Sequence, residues 1–381
     1  MGMLVAAVAL AASLVQPGPG VAERHLAAAA PRPQPQTLYA MTRGTIQAFA
    51  QDGRAIAWFA PSKNACNAVY VLSLSNGGRV QLPDESPGSP NVTCRWEVVP
   101  PVGLAVAFPS ADALWTLREA GPVPFDYVLG AGVSDPRERR FKEVAHSTKG
   151  PGLWLGGIAG SGSTLVYAVT TVAYVDEVAC LSTPNTAGSC DMEIAGGGVY
   201  RLSGRKPPPL VEGTSAAVAV AASETSVAYV PAATVGKGGV PLAGADLPIE
   251  VRDVRTGALI SRANPQGTPL AIALSRTALA ALERTPLGLA LAWYDPATGS
   301  RLGSVPVPAG TSPEVTASDQ LIVFRVGRSI RGVGIETHKV TTLAQAAVTP
   351  IGLSLESSRV AWAENIKGRG RIRAIYVKGR G

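Results

Sequence analysis

Four cysteines, three histidines and two short polar-aromatic stretches carry most of the reactive chemistry in this 381-residue chain. Zinc binding by the thiols would call for Cys-x2-Cys spacing or histidine partners. Cys66, Cys94, Cys180 and Cys190 have neither, because His25, His146 and His338 are scattered along the chain. An even number of cysteines behind an export-like N-terminus points to disulfides instead, so no metal and no cofactor is expected. Tyr174, Asp176 and Glu177 lead up to Cys180, and Arg95 and Trp96 follow Cys94. A carboxylate pair beside a tyrosine could do acid-base work, and an aromatic beside an arginine could equally anchor a partner. Adjacent carboxylates alternate faces when extended, which works against a catalytic dyad. No Gly-x-Ser-x-Gly elbow is present, and the glycine run from Gly156 to Gly162 lacks the order and the following helix of a nucleotide loop.

The N-terminus sets the expected compartment. Met3 to Val15 is apolar but shorter than the ~20 residues a spanning helix needs, and it falls in the range of a signal-peptide core. Residues 1–36 therefore read as a signal peptide and a Pro/Ala-rich linker. The expected protein is exported to the extracellular space, cell wall or periplasm, with no stable membrane span after cleavage. Charged residues are 16% of the chain, below the usual ~25%, as suits strands covered on both faces. The net charge of +7 is spread out, apart from Lys367, Arg369, Arg371, Arg373, Lys378 and Arg380. Only Tyr376 could supply stacking there, so a nucleic-acid partner is not expected.

Positioning these residues falls to a repeated phrase: a polar turn, two small or aliphatic residues, then usually an aromatic. Its seven copies are Ile56-Ala57-Trp58, Ala113-Leu114-Trp115, Leu165-Val166-Tyr167, Val227-Ala228-Tyr229, Leu279-Ala280-Ala281, Ile322-Val323-Phe324 and Val360-Ala361-Trp362. Their ends lie 38 to 62 residues apart, which brackets the period of propeller blades. A strand of small residues precedes each phrase, such as Val218–Ala221 or Leu270–Leu274, and an alternating strand follows, such as Ile249–Asp253. Turns such as Arg255-Thr256-Gly257 lead to a fourth strand. The pattern predicts an all-β fold over residues 37–381: a seven-bladed β-propeller of four-stranded antiparallel blades. Because the last repeat stops after its third strand, Thr37–Ala40 is expected to pair with it and close the ring.

The first copy, FAQDGRAIAWFA from Phe49 to Ala60, is similar to the WD40-like repeat of TolB-like propellers and keeps that repeat's Asp-Gly pair as Asp52-Gly53. The Trp-Asp dipeptide of true WD40 repeats is absent. VRDVRTGALISR from Val251 and WYDPATGSRLGS from Trp293 resemble a quinoprotein strand-turn signature, but Ser261 and Gly303 replace its tryptophan. That departure argues against a quinone cofactor. The TolB-like resemblance implies a scaffold, often protein-binding and in the cell envelope, and carries over no catalytic residue.

In such an architecture the loops between second and third strands and those between blades open at one end. Pro83–Gly103, His146–Leu155, Thr171–Gly197 and Pro231–Pro248 are the long loops expected there, with Cys66 paired to Cys94 and Cys180 to Cys190. The expected function is binding of a protein or cell-envelope polymer at that end, by a non-enzymatic monomer. The alternative is a carboxylate-dependent hydrolase or lyase with its site at the channel mouth. It requires Asp176 or Glu177 to face the channel beside another acid, an arginine or a histidine.

Overall fold

The computed structural model describes residues 34–61, 67–82, 98–108, 113–119, 125–131, 142–148, 152–182, 190–202 and 209–377. Residues 1–33, Cys66, Cys94, Arg95 and Trp96 lie outside the described residues.

After β1 (Gln36–Ala40) the chain lays down one antiparallel sheet after another. The first holds β2 (Ala48–Asp52), β3 (Ala55–Pro61), β4 (Asn67–Ser73) and β5 (Arg79–Leu82). The second holds β6 (Val98–Val106), β7 (Ala113–Glu119), β8 (Phe125–Ala131) and β9 (Lys142–Thr148). Next come β10 (Gly152–Ser161), β11 (Thr164–Tyr174) and, after the short helix α1 (Glu177–Ser182), β12 (Met192–Arg201), beside which Leu210 forms a single bridge to Tyr200. The fourth sheet is β13 (Ala217–Ala222), β14 (Ser226–Val235), β16 (Ile249–Asp253) and β17 (Leu259–Ala263), with the small β15 (Pro241–Ala243) paired to the far end of β14. Two four-stranded sheets follow. One is β18 (Thr268–Leu274), β19 (Leu279–Thr285), β20 (Gly288–Tyr294) and β21 (Arg301–Val307), and the other is β22 (Thr311–Ala317), β23 (Leu321–Val326), β24 (Ser329–Gly334) and β25 (Val340–Gln345). The chain ends in β26 (Ile351–Glu356), β27 (Arg359–Ile366) and β28 (Arg369–Tyr376), and β1 pairs antiparallel with β28 from Gln36↔Ala374 to Ala40↔Arg371.

The first strands of neighbouring sheets lie against one another. β2 touches β6, β10 touches β6 and β13, β18 touches β13 and β22, and β26 touches β22 and β2. Small residues permit this approach: a Cβ on Gly156 would stand 2.1 Å from the carbonyl oxygen of Ala217 in the next sheet. The aromatics of the repeated phrase fill the spaces between sheets, with Trp58, Tyr167, Tyr229, Phe324 and Trp362 all buried. Where the phrase ends in Ala281, Tyr294 of β20 packs in the same cluster and supplies the missing bulk.

The strands at one end run longer than expected. Thr171–Tyr174 and Met192–Gly197 are paired strand residues, β14 continues to Val235, and His146 lies within β9. Alternation decides this: Val172 and Tyr174 face one way opposite Ile194 and Met192, so the ladder keeps an apolar side and continues past the body of the sheet. Two of the expected long loops are thus projecting hairpins.

Candidate functional site

The turns between first and second strands meet from sheet to sheet. At the end of β2, the Asp52 Oδ2 accepts the Phe108 backbone N–H at 2.6 Å, and the Gly162 N–H also donates to this carboxylate. Burial pushes the Asp52 carboxyl up to about 6 against those two donors, and the charges of Glu356 and Glu224 push it the same way. The Phe108 ring lies over Gly53, whose φ of +52° suits glycine in this turn. Arg359 donates to the Gln51 side chain at 2.9 Å and Gln51 returns a bond to the Arg359 carbonyl at 3.0 Å. Thr164 donates to the Glu224 carbonyl, and Thr277 to that of Asp319. A cavity of about 320 Å³ at this end is lined by Ser163, Thr164, Arg201, Glu224, Asp253 and Arg255. The Asp253 carboxylate is occupied in its own turn, where bonds from Thr256 hold its carboxyl below the usual range. The polar groups at this end hold turns together.

Because these turns gather at one end, the connections from second to third strands leave from the other. Beneath them lie carboxylates that sequence reasoning missed. Glu283 accepts from the Tyr294 hydroxyl at 2.5 Å and from the Gln266 N–H at 3.0 Å, and burial pushes its carboxyl up. Glu364 accepts from Trp362 Nε1 at 3.1 Å, from the Ala347 N–H and from Arg371. Each therefore pins the chain segment that enters its own sheet. A signal was available: both stand two residues after the repeated phrase, behind Ala281 and Trp362. Glu250 binds Tyr229, Arg252 and Arg262. Burial opposes its ionisation, but those three donors outweigh it and hold the carboxyl below the usual range. Every one of these carboxylates is engaged by groups of the fold itself.

Above them the hairpin of β11 and β12 projects, capped by α1. The Asp176 Oδ1 accepts the Ala179 N–H at 2.8 Å, as an N-cap does. Cys180 is bonded to Cys190 with their Cα atoms 5.7 Å apart, as the sequence predicts, and this ties α1 down onto the start of β12. Tyr174 is half-buried opposite Met192. Asp176 and Glu177 are exposed, and among the described residues neither pairs with a second acid, an arginine or a histidine. The Asp176 carboxylate thus serves the backbone of α1. Among the described residues no group of three or more His, Cys, Asp and Glu side chains could hold a metal.

What this end does expose is aliphatic. Val175 is 60% exposed and Val178 81% on the β11–β12 connection, Leu242 46% on β15, and Leu287 fully exposed in the β19–β20 turn. These sit on the second-to-third connections of three successive sheets. Among the described residues no helix is long and apolar enough to cross a membrane.

No protein-family model matches this sequence, and no curated protein matches it either. Solved structures do. The chain is similar to uncomplexed Pyrococcus horikoshii acylaminoacyl peptidase with a TM-score of 0.51 at 7% identity, over 88% of this chain and 51% of the peptidase, so it spans about half that protein's length. It is also similar to the Myceliophteria thermophila Cps50 (Swd1) beta-propeller domain, with a TM-score of 0.48 at 10% identity over 91% of this chain and 100% of that one. A chain of the mitotic checkpoint complex matches with a TM-score of 0.48 at 12% identity, over 99% and 100%. At such identities the likeness is one of fold.

Proposed function

We propose that this chain is an exported, non-enzymatic seven-bladed β-propeller that binds a protein partner through the end bearing the disulfide-braced hairpin. The pairing of β1 with β28, and the contact of each first strand with its neighbours through to β26 against β2, support a ring closed by the N-terminal strand. Export is supported by the apolar N-terminal stretch and by the Cys180–Cys190 bond, and an envelope location by the TolB-like resemblance of Phe49–Ala60.

One observation carries the binding role. Successive connections at one end hold aliphatic side chains out in water, whereas the large side chains between sheets, such as Trp58, Tyr229 and Trp362, are buried. Exposed apolar side chains gathered on one surface mark interaction sites, and here rigid sheets support the loops that carry them. The test is affinity capture from the native envelope and culture fluid with the intact chain and with a Val175→Ser/Val178→Ser/Leu287→Ser variant. Partners retained by the intact chain and lost by an equally stable variant support the role. Identical capture by both overturns it.

A further inference from the structure

The identity of the partner can be narrowed by the charges around the exposed aliphatic side chains. This step rests on the binding role proposed above. The chain as a whole carries a net charge of +7, yet the stretch from residue 152 to 200 contains no Lys or Arg and four carboxylates: Asp176, Glu177, Asp191 and Glu193. All four are exposed. In the projecting hairpin, Val172, Tyr174, Met192 and Ile194 share one side, and Val172 is buried. Ala173, Val175, Asp191 and Glu193 therefore share the other side, where Ala173 stands opposite Glu193 and the Val175 N–H bonds the Asp191 carbonyl. An exposed valine is flanked by two carboxylates on the same side of one hairpin. Glu177 and Val178 repeat the pairing on α1, and the disulfide holds that helix in place with the buried Cys180 turned away from Val178. On the neighbouring connection exposed Asp246 follows Leu242, and among the described residues Lys237 of that connection and Arg284 of β19 are exposed cations.

We infer that this aliphatic, carboxylate-rimmed surface takes a protein segment in which Lys or Arg alternates with aliphatic or aromatic residues. Burial of Val175, Val178 and Leu287 would supply the attraction, and the carboxylates would choose the sign of charge and speed the encounter. A polyanion is repelled by the same groups. A second copy of this chain offers a smaller basic surface than its sequence suggests, because on the arginine-rich β28 Arg371 pairs with Glu364 and Arg373 donates to the Pro35 carbonyl, while Arg369 is exposed.

The probe is a synthetic twelve-residue peptide of alternating Lys and Leu with one Trp, beside its Glu-for-Lys counterpart, with binding to the full chain read by fluorescence anisotropy. The lysine peptide should bind more than about tenfold tighter than the glutamate peptide and weaken severalfold between low and high salt. Asp191→Asn/Glu193→Gln should cost roughly fivefold to tenfold for the lysine peptide. Val178→Ser/Leu287→Ser should weaken it as much at every salt concentration, with thermal unfolding of both variants unchanged. If the serine variant loses binding while the amide variant keeps it, the surface stands and the basic partner is overturned. If neither variant changes binding, both this inference and the binding role fall. Concentration-dependent dimers in sedimentation that Val178→Ser abolishes would make the occupant a second copy and overturn the inference.

Discussion

At the end where first strands turn into second strands, side chains of one sheet bond another: Asp52 accepts from the Phe108 and Gly162 N–H groups, Arg359 donates to the Gln51 side chain and the Gly53 carbonyl, and Thr164 donates to the Glu224 carbonyl. At the opposite end the carboxylates of Glu283 and Glu364 serve their own sheets, and the β11–β12, β14–β16 and β19–β20 connections carry valines and leucines in solvent. One end spends its polar groups on cohesion between sheets; at the other, Asn365 also bonds the Ile46 backbone, while Glu283 and Glu364 keep to their own sheets. Asp191 and Glu193 are exposed at the same end at which Glu364 is buried in bonds to its own sheet.

The sharpest challenge to this division is Glu364→Ala. It would leave Trp362 Nε1, Arg371 and the Ala347 N–H without their acceptor, and breaking such a buried pair costs about 3–5 kcal/mol. A loss of unfolding free energy of that size, read from the shift of the urea midpoint multiplied by the slope of the transition, is expected, and a near-neutral result would mean that the network does not hold its sheet. Cys180→Ser/Cys190→Ser should come next, at roughly 2–4 kcal/mol of local stability. Hydrogen exchange should quicken in α1 and the tip of the β11–β12 hairpin and stay unchanged in β3 and β27. Loss of global stability instead would make the hairpin part of the core.

A smaller effect comes from Asp52, whose folded carboxyl titrates at about 6, against ~3.9 for an unfolded aspartate. The folded state binds the proton more tightly, so the stability Asp52 contributes is full below ~3.9 and is lost as pH rises through about 6. Thermal midpoints across pH 4 to 7 should fall more steeply with rising pH for the native chain than for Asp52→Asn. Glu283, raised in the same direction, remains in both proteins and cancels in the difference. Parallel curves would show that Asp52 is ionised without penalty. The smallest expected change is Arg276→Ala, which breaks an exposed ion pair to Asp319 worth below ~1 kcal/mol. A larger shift would give surface pairs at the turn end a structural weight that their exposure does not suggest.

Much of the fold is readable from the chain. The phrase positions match second strands, Ile249–Asp253 is a third strand with the expected bounds, and Thr37–Ala40 pairs with the last repeat. The Cys180–Cys190 bond follows from their spacing within one connection. The candidate site was only half readable. Asp176 drew attention as a possible acid, yet its oxygen caps α1. Glu250, Glu283 and Glu364 look in sequence like ordinary exposed strand residues, because period-2 alternation names a side of the strand but not what covers it. The loops expected at Thr171–Gly197 and Pro231–Pro248 became partly strand because the pairing partner, rather than local propensity, decides how far a ladder runs.

The sequence by itself determined the repeat, the strand order within each sheet, the direction of the sheets and one disulfide, since all of these depend on neighbours a few to a few tens of residues away. Only the tertiary structure decided which carboxylates are spent on the fold and which remain free, and which aliphatic side chains stay in water. Gln51 meets Arg359 across 308 positions and Ile46 meets Asn365 across 319. Contacts of that span arise from packing one sheet on another, and local spacing carries no record of them.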